Sequence, residues 1–140
     1  MQDEVKIEEV IDILTKIGVR VTPQRIVITK IILDNVKNHP SFKEIHSIVQ
    51  KQLPRVGIST IFNTMKMLEK AGVIRIFEWN GETHIDRPEY HVNVYCKDTG
   101  QLVDLEDSKT YASKLVQELS EKGLRIHGVN IIVEADCKSN

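Results

Sequence analysis

Apolar residues recur at helical spacing through the first half of the chain and at strand spacing after it. In VKIEEVIDILTKIG, Val5, Ile7, Val10, Ile11, Leu14 and Ile17 follow a 3.6-residue repeat, and Gly18 is suited to close the helix. Thr22 and Pro23 predict the start of a second helix, a capping side chain followed by proline at the first helical position. Its apolar series, Ile26, Val27, Ile31 and Ile32, runs on to about Val36. After the turn NHPS, Phe42, Ile45, Ile48, Val49 and Leu53 mark a third helix that Pro54 closes. GISTIFNTMKMLEKAG predicts a fourth, with Ser59 as N-cap, Ile61, Met65 and Leu68 on the inner face, and Gly72 at the end.

From here the period changes to two. VIRIFEW and ETHID, joined by Asn80-Gly81, predict a hairpin, because Asn-Gly suits the type I′ turn between twisted strands. Short helices followed by a hairpin is the order of a winged helix-turn-helix. The segment RPEY, with Pro88, marks a boundary, giving domains over residues 1–87 and 88–140. The second is predicted to hold a strand over 91–96, a turn at Lys97 to Gly100, a strand over 101–105, a helix over 108–122 and a last strand over 125–134. Roughly fifty residues bury little core alone, so this unit is expected to pair with a second copy. The fold class predicted is α+β, an N-terminal winged helix-turn-helix and a small C-terminal α/β dimerisation domain.

Composition narrows the function classes. With 41% hydrophobic residues among 140, the chain can build a folded core. It has no apolar run near the roughly 20 residues that span a bilayer, and MQDEVKIEEV lacks the apolar core of a signal peptide, so a cytoplasmic protein with no membrane partner is expected. The net charge of -1 hides an uneven distribution. Between Lys16 and Arg75 stand eleven basic side chains against three acidic, about +8, whereas residues 89–140 carry six against nine, about -3. A cationic first half favours a polyanion; a solvated, lysine-rich helical surface is the plainer alternative. Two cysteines, Cys96 and Cys137, are too few for a secreted disulfide framework. HIDRPEYHVNVYCKDTG, by contrast, gathers two histidines, two aspartates and a cysteine in one stretch of mostly strand-like alternation.

GVRVTPQR (Gly18 to Arg25), NHPSFKEI (Asn38 to Ile45), ISTIFNTMKMLEKAGVI (Ile58 to Ile74) and HVNVYCKDTGQLVDL (His91 to Leu105) together resemble the ferric uptake regulator family, most closely its peroxide-sensing branch. The resemblance covers nearly the whole chain. It implies a homodimeric, metal-responsive transcription regulator, a repressor and no enzyme, bound to palindromic AT-rich double-stranded DNA. The family's reading-helix motif stands here as Ser59-Thr60-Ile61-Phe62-Asn63, with Ile61 inward. Thr60, Asn63, Thr64 and Lys66 fall away from the inner face and are expected to reach base edges and phosphates, as a helix in the major groove can. Phe62 takes the place of the family's usual tyrosine and retains apolar contact with a thymine methyl. Lys16 and Arg20 match basic positions of the family that approach the flanking DNA backbone or minor groove, and Arg55 lies just ahead of the reading helix.

The resemblance further implies a regulatory site at His39, Asp86, His91, Asn93 and Asp104, holding one divalent metal per subunit, Fe2+, Mn2+ or Zn2+. Imidazole and carboxylate suit such ions, and residues two apart on a strand share a side. Asn93 stands where the family has a histidine, so a weaker amide oxygen replaces an imidazole. Asp104 matches the peroxide-sensing branch, in which a ligand histidine, here His39 or His91, is oxidised. The family's structural zinc uses two CxxC pairs, and here each has lost its second thiolate, so no four-thiolate zinc is expected. Cys96 and Cys137 remain as a possible redox pair, a disulfide or two inert thiols; the thiols are favoured because cytosolic disulfides are uncommon. His46, His84 and His127 are assigned no ligand role.

Two other functions stay open. A DNA-binding regulator controlled by thiol redox, or by nothing, would keep the basic helices and dispense with the metal. A small metal-dependent hydrolase or oxidoreductase would use the His/Asp cluster, but HExxH and GxSxG are missing and the basic half would go unexplained.

Overall fold

The computed structural model describes residues 6–138, an α+β chain of two compact units, Met1–Pro88 and Glu89–Asn140. Val5 lies outside the described residues. In the first unit, helices α1 (Ile7–Lys16), α2 (Pro23–Asn35), α3 (Phe42–Gln52) and α4 (Ile58–Lys70) precede a hairpin of β1 (Arg75–Trp79) and β2 (Glu82–Asp86). A short 3-10 turn, Val36–Asn38, links α2 to the segment before α3.

Local chemistry accounts for the helix ends. The Thr22 side chain accepts the Arg25 N–H at 3.2 Å, and Ser41 accepts the Glu44 N–H at 3.1 Å, each satisfying a donor that the first helical turn leaves over. For α4 the expected Ser59 cap is corrected: Gly57 is the N-cap, no side chain caps the helix, and Ser59 is already in its first turn. Val10, Leu14, Ile28, Ile32, Ile45, Val49, Ile61, Met65, Leu68 and Ile85 are buried together, so the four helices and β2 share one core. Asn80 and Gly81 have φ of 56° and 78°, as the tight hairpin turn requires.

The second unit is a three-stranded sheet in the order β4-β3-β5, with helix α5 (Lys109–Glu121). β3 (Val92–Cys96) pairs antiparallel with β4 (Gln101–Asp104) and parallel with β5 (Ile131–Ala135). The last strand starts six residues later than the alternation predicts. β3 offers only five residues to pair with, so the ladder begins where Val92 meets Ile131. Ser108 precedes α5 without capping it; its hydroxyl accepts the Val92 N–H at 2.8 Å and ties the helix start to β3. Register sets Val103, Val94 and Val133 in one row across the sheet, and the outer two are exposed.

The cysteines correct the favoured expectation of free thiols. Cys96 ends β3 opposite Ala135, Cys137 follows two residues later, and the two form a disulfide with Cα atoms 5.4 Å apart. Parallel pairing with β3 is what carries the final segment there. Beside the bridge, the Asp98 carboxylate accepts the N–H groups of Cys137 and Lys138 at 3.0 and 2.9 Å. Among the described residues no helix is long and apolar enough to cross a membrane.

Candidate metal centre and nucleic-acid interface

Each unit carries an imidazole facing a carboxylate. In the first, His39 follows the 3-10 turn with φ 50° and ψ 51°, left-handed backbone that side chains seldom adopt. Asp86 is the last residue of β2. His39 Nε2 lies 3.4 Å from Asp86 Oδ1, and both side chains are almost wholly buried. A carboxylate so removed from water demands compensation. The Arg87 N–H donates to Asp86 Oδ1 at 2.7 Å, which supplies part of it.

In the second unit His91 directly precedes β3, and Asp104 ends β4. His91 Nε2 lies 3.4 Å from Asp104 Oδ1. The other ring nitrogen, Nδ1, is 2.7 Å from the Glu89 carbonyl, which can only accept, so Nδ1 carries a proton. In the neutral ring Nε2 therefore presents its lone pair to the carboxylate. Two lone pairs facing each other repel, and a cation, whether a proton on Nε2 or a metal ion, converts that repulsion into attraction. Ligand histidines commonly donate their second N–H to such a carbonyl, which fixes the tautomer. Asn93 is buried and stands directly opposite Asp104 across β3 and β4. The donor set in each unit thus fits a divalent ion.

The candidate DNA-facing residues are distributed less evenly. On α4, Ser59, Asn63 and Lys66 are exposed, Thr60 is half-buried and Phe62 is 43% exposed. Thr64 corrects the sequence expectation: it is fully buried, and its hydroxyl donates to the Thr60 carbonyl at 2.7 Å, so it cannot reach a base. Three residues after Ile61 and four before Leu68, it belongs to the inner face. Phe62 meets Phe42 of α3 edge-on, ring centroids 6.0 Å apart, which orients its exposed edge. Lys16 and Lys66 pair with Asp12 and Glu69 at 3.0 and 2.9 Å. Exposed pairs of this kind are worth little and exchange readily for phosphate. Arg20 and Arg55 are exposed.

His84, which the sequence gives no ligand role, reaches the His39 backbone with its ring. The available signal was strand alternation, which puts His84 on the same side of β2 as Asp86.

The chain is 25% identical over 129 residues to a ferric uptake regulation protein homolog of Archaeoglobus fulgidus, covering 91% of this chain and 95% of that one. It is 26% identical over 137 residues to the peroxide-responsive repressor PerR of Staphylococcus epidermidis, covering 95% and 91%. The fold is similar to that of the Helicobacter pylori ferric uptake regulator, with a TM-score of 0.73 at 16% identity, over 99% of this chain and 95% of the other. The ferric uptake regulator family model matches residues 16–134, and the chain therefore belongs to the ferric uptake regulator family.

Proposed function

We propose that this protein is a homodimeric transcription repressor that binds palindromic, AT-rich operator DNA when a divalent cation occupies its regulatory site. The family it belongs to consists of metal-dependent transcription regulators rather than enzymes. In this reading the first unit is a winged helix-turn-helix with α4 as the reading helix. Asn63 and Thr60 contact base edges, Phe62 a thymine methyl, and Lys16, Arg20, Arg55, Ser59 and Lys66 the backbone. The second unit is the dimerisation domain. Exposed Val103 and Val133, and Tyr111 and Leu115 on α5, supply apolar surface for a second copy.

The observation that carries the metal reading is the pair of His–Asp contacts, His39 with Asp86 and His91 with Asp104, each at 3.4 Å. One Fe2+, Mn2+ or Zn2+ per subunit would take ligands from both pairs, with Asn93 as a weak fifth, and so would fix one arrangement of the two units. Metal supplied to chelated protein should tighten operator binding, and His91→Ala with Asp104→Ala should abolish the response. Unchanged operator affinity after chelation would sink this reading.

Asp104 and the peroxide-responsive relative favour a further response to peroxide, with His39 or His91 oxidised when Fe2+ is bound. A mass gain of one oxygen on either histidine after peroxide treatment tests it. The disulfide favours a second reading, control by thiol redox. Reductant would then change operator affinity in metal-free protein, where the metal reading expects no change.

A further inference from the structure

We infer that His84 is a positioning residue: it donates Nδ1–H to the His39 main-chain carbonyl and so holds His39 in the left-handed conformation that aims its ring at Asp86. This rests on the metal-controlled reading only for its functional consequence. A left-handed residue with a side chain persists when its surroundings over-determine it. At His39 the surroundings come from β2. His84 Nδ1 is 2.9 Å from the His39 carbonyl oxygen, the Ile85 N–H donates to the Pro40 carbonyl at 2.9 Å, and Ser41 bridges to His84 across the backbone. Three consecutive residues of the turn are thereby laced to two consecutive residues of the strand.

The first of these ties depends on side-chain chemistry, and no apolar residue would reproduce it. A carbonyl has only lone pairs to offer, so Nδ1 bears the hydrogen in every protonation state that makes this bond. The ring is itself held: it stacks on Phe77, its cross-strand neighbour, with centroids 5.5 Å apart and planes 19° from parallel. One strand therefore both supplies Asp86 and, two residues earlier, fixes the backbone of the histidine that faces it. Without the His84 donor the turn loses its side-chain tie, and the His39 ring loses its fixed approach to the carboxylate.

Two substitutions separate this role from simple packing. His84→Phe keeps a ring against Phe77 and deletes the donor; His84→Asn restores an N–H at the corresponding atom on a smaller side chain. In full-length protein, Co2+ affinity should fall about tenfold in His84→Phe, near the low end of what losing an outer partner of a ligand costs, and recover in His84→Asn. Thermal midpoints of the metal-free proteins, measured alongside, establish that each variant is folded. The His39 ring signal in a carbon–proton NMR spectrum of metal-free protein should move in His84→Phe and return in His84→Asn. Co2+ affinities within twofold across all three proteins, or an unmoved His39 signal, would overturn the inference. A wild type that binds no Co2+ while the His39 signal still moves would instead remove the metal reading and leave the positioning role standing.

Discussion

In the proposed site, Asn93 would limit how tightly a cation is held. It is buried opposite Asp104, so it offers a neutral amide oxygen where an imidazole would offer a stronger donor to Zn2+ or Co2+. Asn93→His is expected to tighten Co2+ binding by about tenfold or more, read by competition with a chromophoric chelator. Equal affinities would place Asn93 outside the ligand set. At the same scale, Asp98 reports on the chain end. Its carboxyl is held below the ordinary range by the Cys137 N–H first and the Lys138 N–H next. A lowered value means that the contribution is in force above the ordinary carboxylate pKa and is lost as pH falls through the lowered one. Asp98→Ala should therefore speed amide exchange at Cys137 and Lys138 near neutral pH, and the difference from wild type should vanish in strong acid. The positions of His39, Asp86, His91 and Asp104 were legible through family motifs. The Nδ1 contacts to carbonyls were not, since a backbone acceptor leaves no mark on the side-chain pattern.

Among the elements, α4 shows how far periodicity reaches. Ile61, Met65 and Leu68 fall on its buried face as their spacing predicts, yet that face is wide enough to take in Thr64 as well. A threonine counts as polar in the pattern, but its hydroxyl is satisfied by the Thr60 carbonyl, so it is buried without an orphaned group. The cap was misplaced for a related reason, as glycine starts a helix with no side-chain signal to read. Under the proposed operator binding, these placements divide the helix by role. Asn63→Ala should weaken operator binding by about 1–3 kcal/mol and blunt base preference with the salt slope unchanged. Lys66→Ala should weaken all sequences alike and reduce the salt slope by about one. Thr64→Val, which keeps the shape of a buried side chain, should leave operator affinity alone; fluorescence anisotropy over a salt series distinguishes the three. The late start of β5 has another origin, because a strand lasts only as long as its partner, and no local pattern in residues 125–130 carries that information.

Over the whole molecule, the proposal makes cation and operator two ligands of one equilibrium. The His39–Asp86 pair sits in the unit that carries α4, and the His91–Asp104 pair in the unit with the exposed valines. If a shared ion selects the DNA-binding arrangement, its bonding energy is spent partly on that selection, and DNA that has already selected the arrangement removes this burden. Linkage makes the effect reciprocal: the factor by which the ion tightens DNA equals the factor by which DNA tightens the ion. Couplings of this kind usually amount to about 1–3 kcal/mol, roughly 5- to 150-fold. Mn2+ titrations with and without saturating operator duplex, set beside operator titrations with and without Mn2+, should return the same factor within error. His91→Ala should bring both factors to unity while leaving the salt slope of metal-free binding intact, because the proposed phosphate contacts belong to the other unit. Binding of Mn2+ that is indifferent to DNA would mean that the ion stabilises the fold without choosing an arrangement, and control would then have to come from elsewhere, with the Cys96–Cys137 bridge as the next candidate.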